Sequence, residues 1–331
     1  MPTMQCFESE PLRLASGESL GNITVAYETW GTLNAEKSNA ILLCHTLTAD
    51  SHAAGPDGWW DDYVGPHKAI DTTRYYVLCT NVLGSCKGST GPTSDAFPVI
   101  TIEDMVAVQH ACIQQLGIEQ LAAVIGGSMG GMQALTWSLC YPDALRLCIP
   151  IACTSRLSTQ ALAFNAIGRQ AILNHQRDGL VLARMLGHTT YLSGDLLADR
   201  FGRDLQDAKP DYSYNFINDF QIESYLHYQG TKFKDQFDPY SYQYLSKAIS
   251  YFDLDRRYGD LKTAFANTTA QHFFIAISSD WLYPVSESKR MVQALVELGK
   301  PVRYATLHSP YGHDGFLLAN EQLSQLLRSA L

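Results

Sequence analysis

A serine sits between glycines two residues to either side in Gly126-Gly127-Ser128-Met129-Gly130-Gly131, where the apolar run Ala123-Val124-Ile125 gives way to a helical pattern. Strand, tight turn and helix form the setting in which G-x-S-x-G presents a serine hydroxyl as a nucleophile. Glycines at such a turn relieve crowding and let backbone segments approach closely. The N–H groups that open the following helix have no intrahelical acceptor, which suits them to a developing oxyanion. Ser128 is therefore a candidate nucleophile; the competing reading is a structural turn whose serine caps a helix.

A serine hydroxyl needs a base to take its proton. Asp280 follows the apolar run 271–277 through Ser278-Ser279, with Trp281 and Pro284 continuing the loop. His313 lies in Ser309-Pro310-Tyr311-Gly312-His313-Asp314-Gly315, after the run 302–307. The order Ser, Asp, His matches that of an α/β-hydrolase fold. In that role Asp280 fixes the imidazole tautomer, and His313 deprotonates Ser128 and later returns the proton. A loop-capping aspartate and a surface histidine are each common, but their joint placement after successive strands favours the triad. Asp314 is a rival acid; a residue adjacent to the histidine rarely points back at its ring, so Asp314 is better placed for substrate. The Met129 amide is one oxyanion donor, and the loop after the strand at 40–44 supplies the other, for which the Leu47 amide is the candidate. His45 and His52 in that loop lack the supporting carboxylate or cysteine spacing of a metal site. They read as satisfied polar histidines, and no metal is expected.

The elements that must position these side chains alternate. Strands are expected at 23–30, 40–44, 75–80, 121–126, 145–152, 271–277 and 302–307. Helices are expected at 103–116, with Gly117 as its stop, and at 129–140, 286–298 and 316–328. Alternation of this kind implies a mostly parallel sheet covered by helices, with the early strands free to pair antiparallel. From about 160 to 250 the pattern is helical and dense in tyrosine, as in Tyr212, Tyr225, Tyr228, Tyr240, Tyr242, Tyr244 and Tyr251. It reads as a lid inserted over the sheet edge, although helices of an ordinary covering layer would give the same pattern. The organisation expected is core 1–155, lid 156–255 and core 256–331.

A net charge of -9, from 24 basic and 33 acidic residues, argues against a large nucleic-acid surface and leaves room for a local basic patch. No apolar stretch approaches a membrane span, and no secretory leader pattern is present, so the cytoplasm is the expected location and no membrane partner is expected. Several of the eight cysteines, as in Leu42-Leu43-Cys44 and Val77-Leu78-Cys79, lie inside apolar runs and read as small buried hydrophobes.

The loops together resemble the homoserine O-acyltransferase family. The resemblance rests on His45-Thr46-Leu47-Thr48, Ser51-His52-Ala53-Ala54-Gly55, Gly58-Trp59-Trp60-Asp61 and Gly65-Pro66. It continues through Asn81-Val82-Leu83-Gly84-Ser85-Cys86, Gly88-Ser89-Thr90-Gly91-Pro92, the Ser128 segment and Tyr311-Gly312-His313-Asp314. It implies an α/β-hydrolase core with a helical lid, a homodimer formed through lid helices, and ping-pong transfer of an acyl group from coenzyme A to the hydroxyl of L-homoserine. It also implies that Ser128 is nucleophile, Asp280 acid and His313 base. By the same likeness Arg184, in Leu182-Ala183-Arg184-Met185-Leu186-Gly187-His188, holds the amino acid carboxylate and Asp314 its ammonium group. Acetyl-CoA is the expected cosubstrate and succinyl-CoA the alternative; no permanently bound cofactor is implied. Serine as acceptor, and hydrolysis by the same triad, remain as further alternatives. The stretches between Asn174 and Gly179 and between Gly91 and Phe97 are shorter than is usual for the family. Those differences leave the triad in place and bear on lid shape, coenzyme A contacts and acyl preference.

Overall fold

The computed structural model describes residues 4–214, 216 and 219–331. Eight strands form the central sheet: β1 (Gln5–Ser9), β2 (Ile23–Trp30), β3 (Ala40–Cys44), β4 (Tyr76–Thr80), β5 (Ala123–Gly127), β6 (Leu147–Ile151), β7 (Gln271–Ile277) and β8 (Val302–Leu307). Their spatial order is β1-β2-β4-β3-β5-β6-β7-β8. Only β2 runs against its neighbours, β1 and β4; every pairing from β4 to β8 is parallel. The antiparallel freedom allowed to the early strands is used there. β1 itself was not expected, because Gln5-Cys6-Phe7-Glu8-Ser9 carries one buried residue and no apolar run.

Alternation along the strands divides the core. Leu42, Cys44, Val124, Cys148 and Phe274 enter one apolar cluster, and Ile41, Leu43, Ala123, Ile125, Ile149 and Ile275 enter another. A sheet covered on both faces needs such near-continuous apolar strands. Helices α1 (Ile102–Gln115), α2 (Met129–Cys140) and α9 (Val285–Glu297) carry residues of the first cluster; α10 (Glu321–Ala330) carries Leu323 and Leu327 of the second. The chain steps from β3 to β4 on one side, then crosses to β5 on the other. Ligands of open α/β sheets bind beyond the carboxyl ends of the strands at such a reversal.

The helical insertion contains α3 (Thr159–Tyr191), α4 (Gly194–Phe201), α5 (Gln221–Lys234) and α6 (Pro239–Tyr251), followed by the short α7 (Leu254–Tyr258) and α8 (Leu261–Phe265). It leaves and rejoins the core at one seam, where the Arg156 and Asp253 backbones pair antiparallel as an isolated β-bridge and the Leu254 N–H donates to Ser155 O at 3.0 Å. α3 is not a straight rod. Gln176 has φ 48 and ψ -117, and a Cβ on Gly179 would stand 2.0 Å from Ala171 O. The chain therefore doubles back within the short Asn174–Gly179 stretch, and the two arms pack through Gly168, Ala171, Gly179 and Ala183.

One expected helix needs correction. In place of 316–328, the chain forms a short 3₁₀ turn, Gly312–Phe316, and then α10. Asn320 caps α10 through its side chain, which accepts from the Leu323 N–H. Phe316 belongs to the turn that carries His313. Of the cysteines, Cys44, Cys79, Cys112, Cys148 and Cys153 are buried, whereas Cys6, Cys86 and Cys140 are exposed.

Candidate active site

Ser128 joins β5 to α2 with φ 58 and ψ -120, a backbone conformation uncommon for a residue with a side chain. The surrounding glycines permit it by close approach. A Cβ on Gly126 would lie 2.3 Å from the Gly130 backbone, and one on Gly130 would lie 1.9 Å from Cys44 O. The second contact also presses the loop after β3 against the start of α2. The turn thus brings the Ser128 hydroxyl and the His45–Thr48 loop to one rim of the sheet.

Residues distant in sequence meet at that rim. The Ser128 Oγ–H donates to His313 Nε2 at 2.7 Å, and His313 Nδ1–H donates to Asp280 Oδ2 at 2.7 Å. Asp280 Oδ1 accepts the backbone N–H groups of Leu282 and Tyr283 at 3.0 and 2.9 Å, so the carboxylate is held on both oxygens. His313 and Asp280 are buried, at 3% and 5% exposure, which keeps water from competing for these bonds. Burial disfavours the imidazolium, but the charge and hydrogen bond of Asp280 outweigh it, with Asp314 adding to them. The His313 pKa therefore lies above its ordinary value. The arrangement can withdraw a proton from Ser128 and steady the resulting cation.

A cavity opens over Ser128, lined by Thr46, Leu47 and Thr48 on one side and by Arg184, Tyr191 and Asp314 on another. Met129 is the first residue of α2, whose leading N–H groups have no intrahelical acceptor. All seven residues singled out from sequence thus converge on this rim: Ser128, Asp280, His313, Leu47, Met129, Arg184 and Asp314. The Arg184 guanidinium lies over the Phe233 ring at 4.7 Å, and its Nε has no hydrogen-bond partner among the described residues. Burial raises the Asp314 carboxyl above its ordinary pKa; the charges of His313 and Arg184 oppose that shift, and Asp280 reinforces it.

Sequence reasoning missed the tyrosines of the cavity. Tyr191, Tyr242 and Tyr283 all line it, and the Tyr283 ring stands edge-on to His313, with centroids 4.8 Å apart at 81°. Tyr191 follows Arg184 by seven residues, two helical turns on the same face, which was the available signal. His45 and His52 are engaged elsewhere. His45 bonds Thr46 O and the Val82 N–H, while His52 bonds Glu28 and Pro56 O at 2.8 and 2.7 Å.

Comparison with known proteins agrees with this geometry. The alpha/beta hydrolase fold family matches residues 39–319. A homoserine O-acetyltransferase of Methanobrevibacter ruminantium is 49% identical over 353 residues, covering 98% of this chain and 72% of the relative. The crystal structure of homoserine O-acetyltransferase from Bacillus anthracis is similar with a TM-score of 0.92 at 26% identity, covering 99% of this chain and 97% of that one. Esterase E22 is similar with a TM-score of 0.90 at 28% identity over 100% of both chains. The chain belongs to the homoserine O-acetyltransferase family, within the α/β-hydrolase superfamily.

Proposed function

We propose that this protein transfers an acetyl group from acetyl-CoA to the hydroxyl of L-homoserine through an acetyl-Ser128 intermediate, a step of methionine biosynthesis. The observation that carries the reading is the unbroken hydrogen-bond chain Ser128–His313–Asp280 opening on a cavity that also holds a guanidinium and a carboxylate. Ser128 Oγ attacks the thioester carbonyl as His313 takes its proton. The amides of Leu47 and Met129 receive the oxyanion. The carbon–sulfur bond breaks, the departing thiolate takes the proton from His313, and the acetyl group stays on Ser128 as an ester. The homoserine hydroxyl then gives its proton to His313 and attacks that ester. Ser128 leaves and recovers the proton.

Arg184 holds the carboxylate of homoserine by a charge-assisted contact, and Asp314 holds its ammonium group. Together they orient the hydroxyl toward the ester carbonyl. The lid, taken as 156–255 between core segments 1–155 and 256–331, limits the access of water to the acyl-enzyme. Two copies associate through lid helices, and the enzyme works in the cytoplasm without a membrane or nucleic-acid partner.

Hydrolysis is the second reading, favoured by the likeness to an esterase, because water can replace homoserine in the last step. Steady-state rates with acetyl-CoA and succinyl-CoA, each with L-homoserine and L-serine, test the assignment. The acetyl–homoserine pair is expected to give the highest kcat/KM. Ester hydrolysis unaffected by homoserine would overturn the transferase reading.

A further inference from the structure

We infer that His45 is a positioning residue for the oxyanion site: its ring holds the Thr46 carbonyl so that the Leu47 N–H faces Ser128. The inference rests on the acyl-serine reading above and deepens it. His45 is fully buried at the end of β3. The Val82 N–H donates to its Nε2 at 3.0 Å, so that nitrogen carries no proton. The single ring proton is therefore on Nδ1, which donates to Thr46 O at 2.7 Å.

The Thr46 carbonyl and the Leu47 N–H are the two ends of one planar peptide group. No cis peptide bond occurs among the described residues, so the two point in opposite directions. A carbonyl pinned to a buried ring sends the N–H the other way, toward the cavity that Leu47 lines with Ser128 and His313. A carbonyl that accepts a hydrogen bond also polarises its own peptide, strengthening the N–H as donor.

A second buried clamp sets the spacing of the two donors. Gln133 Nε2 donates to both His45 O and Met129 O at 3.2 Å. Gln133 Oε1 accepts from Gln109 Nε2 at 2.8 Å, and Gln109 Oε1 accepts from Trp137 Nε1 at 2.9 Å. The loop bearing Leu47 and the helix start bearing Met129 are thus tied by side chains that do not line the cavity. Burial pulls the His45 pKa below its ordinary value, against the opposing pulls of the Thr46 carbonyl and the Asp50 charge. The neutral ring that both bonds require therefore persists at neutral pH.

Two isosteric halves of the imidazole separate positioning from simple loop anchoring. His45→Asn keeps an N–H where Nδ1 stood and loses the acceptor for Val82; His45→Gln does the reverse. The readouts are kcat, KM for acetyl-CoA, melting temperature, and inhibition by methylboronic acid, which forms a tetrahedral anionic adduct on serine. For His45→Gln, kcat and boronate affinity are expected to fall together by about 10- to 100-fold, less than outright removal of an oxyanion donor costs, with KM little changed. His45→Asn is expected to keep kcat and boronate affinity within about threefold of the unmodified enzyme, because the bond to the Thr46 carbonyl is retained, while the unpaired Val82 N–H lowers its melting temperature. Equal losses in the two variants, or a larger loss in His45→Asn, would overturn the inference. If neither variant folds, nitrogen NMR of the unmodified protein decides: a His45 proton on Nδ1 supports the inference, and one on Nε2 overturns it. An unmodified enzyme that never acylates Ser128 would instead overturn the underlying functional reading, and this inference with it.

Discussion

At Ser128, His313 and Asp280 the chemistry depends on one proton and the groups that share it. Ser128→Ala is expected to abolish turnover with either acyl donor. Because the His313 pKa is raised and the base must be neutral, kcat/KM should rise with pH through a value above the ordinary imidazole figure of about 6.5. Asp280→Asn removes the charge that raises it. Burial then dominates, so the acid limb should move below that figure while kcat falls by about 10⁴-fold, as for other triads that lose this carboxylate. An unmoved limb would mean that another group titrates. Arg184→Ala should raise the KM for L-homoserine by about 10- to 100-fold, the range of one charged hydrogen bond, and leave acylation of Ser128 intact. Arg184→Lys should recover only part of this, because an ammonium lacks the planar fork. The Asp314 carboxyl sits above its ordinary pKa and must be ionised to hold an ammonium. Amino acid affinity should therefore weaken as pH falls through that raised value, with the affinity for acetyl-CoA unchanged. The meeting of Ser128, Asp280 and His313 in one hydrogen-bond chain was legible in sequence because each follows an apolar run at its own spacing. Tyr191 and Tyr242 were not, because the insertion is so rich in tyrosine that no single one stands out before packing selects them.

At the scale of elements, the decisive features are places where backbone touches backbone. Gly130→Ala would drive a Cβ against Cys44 O, and neither partner is a side chain able to swing away. Overpacking of this kind costs about 1–3 kcal/mol or more, here at the joint that aligns Leu47 with Met129. The variant should lose melting temperature and should lose kcat beyond its loss of folded protein. Gly194→Ala is the matched control, since nothing lies within 4 Å of its added Cβ; Ala there should be neutral or gain up to about 1 kcal/mol. Gly179→Ala probes the lid instead. Its Cβ would strike the other arm of the α3 hairpin, so the fraction of acyl-enzyme discharged to water should rise, read as acetate against O-acetylhomoserine. The alternating strands and helices of the core were readable from apolar period. The hairpin in α3 was not, because a left-handed residue at Gln176 leaves the helical period of its neighbours intact and only a short segment betrays the reversal. The last helix was misplaced for a related reason: Phe316 and Leu317 continue an apolar pattern that the 3₁₀ turn around His313 interrupts.

For the molecule as a whole, core and insertion meet where the chemistry is. Trp281 Nε1 donates to Leu192 O at 2.9 Å, and Gly312 packs against the end of α3, so the loops carrying Asp280 and His313 both lean on the lid. The helical insertion leaves Leu173, Leu182 and Tyr228 well exposed, at 59%, 49% and 62%. Sedimentation is expected to give a dimer, and Leu182→Asp a monomer that still acylates Ser128; a monomeric unmodified protein would contradict association through the lid. The central claim concerns a covalent ester, and mass spectrometry of the protein mixed with acetyl-CoA alone tests it most directly. The account predicts one acetyl group on the peptide containing Ser128, lost on adding L-homoserine with matching formation of O-acetylhomoserine. Turnover of acetyl-CoA with homoserine while Ser128 stays unmodified, or an adduct that homoserine does not discharge, would contradict it.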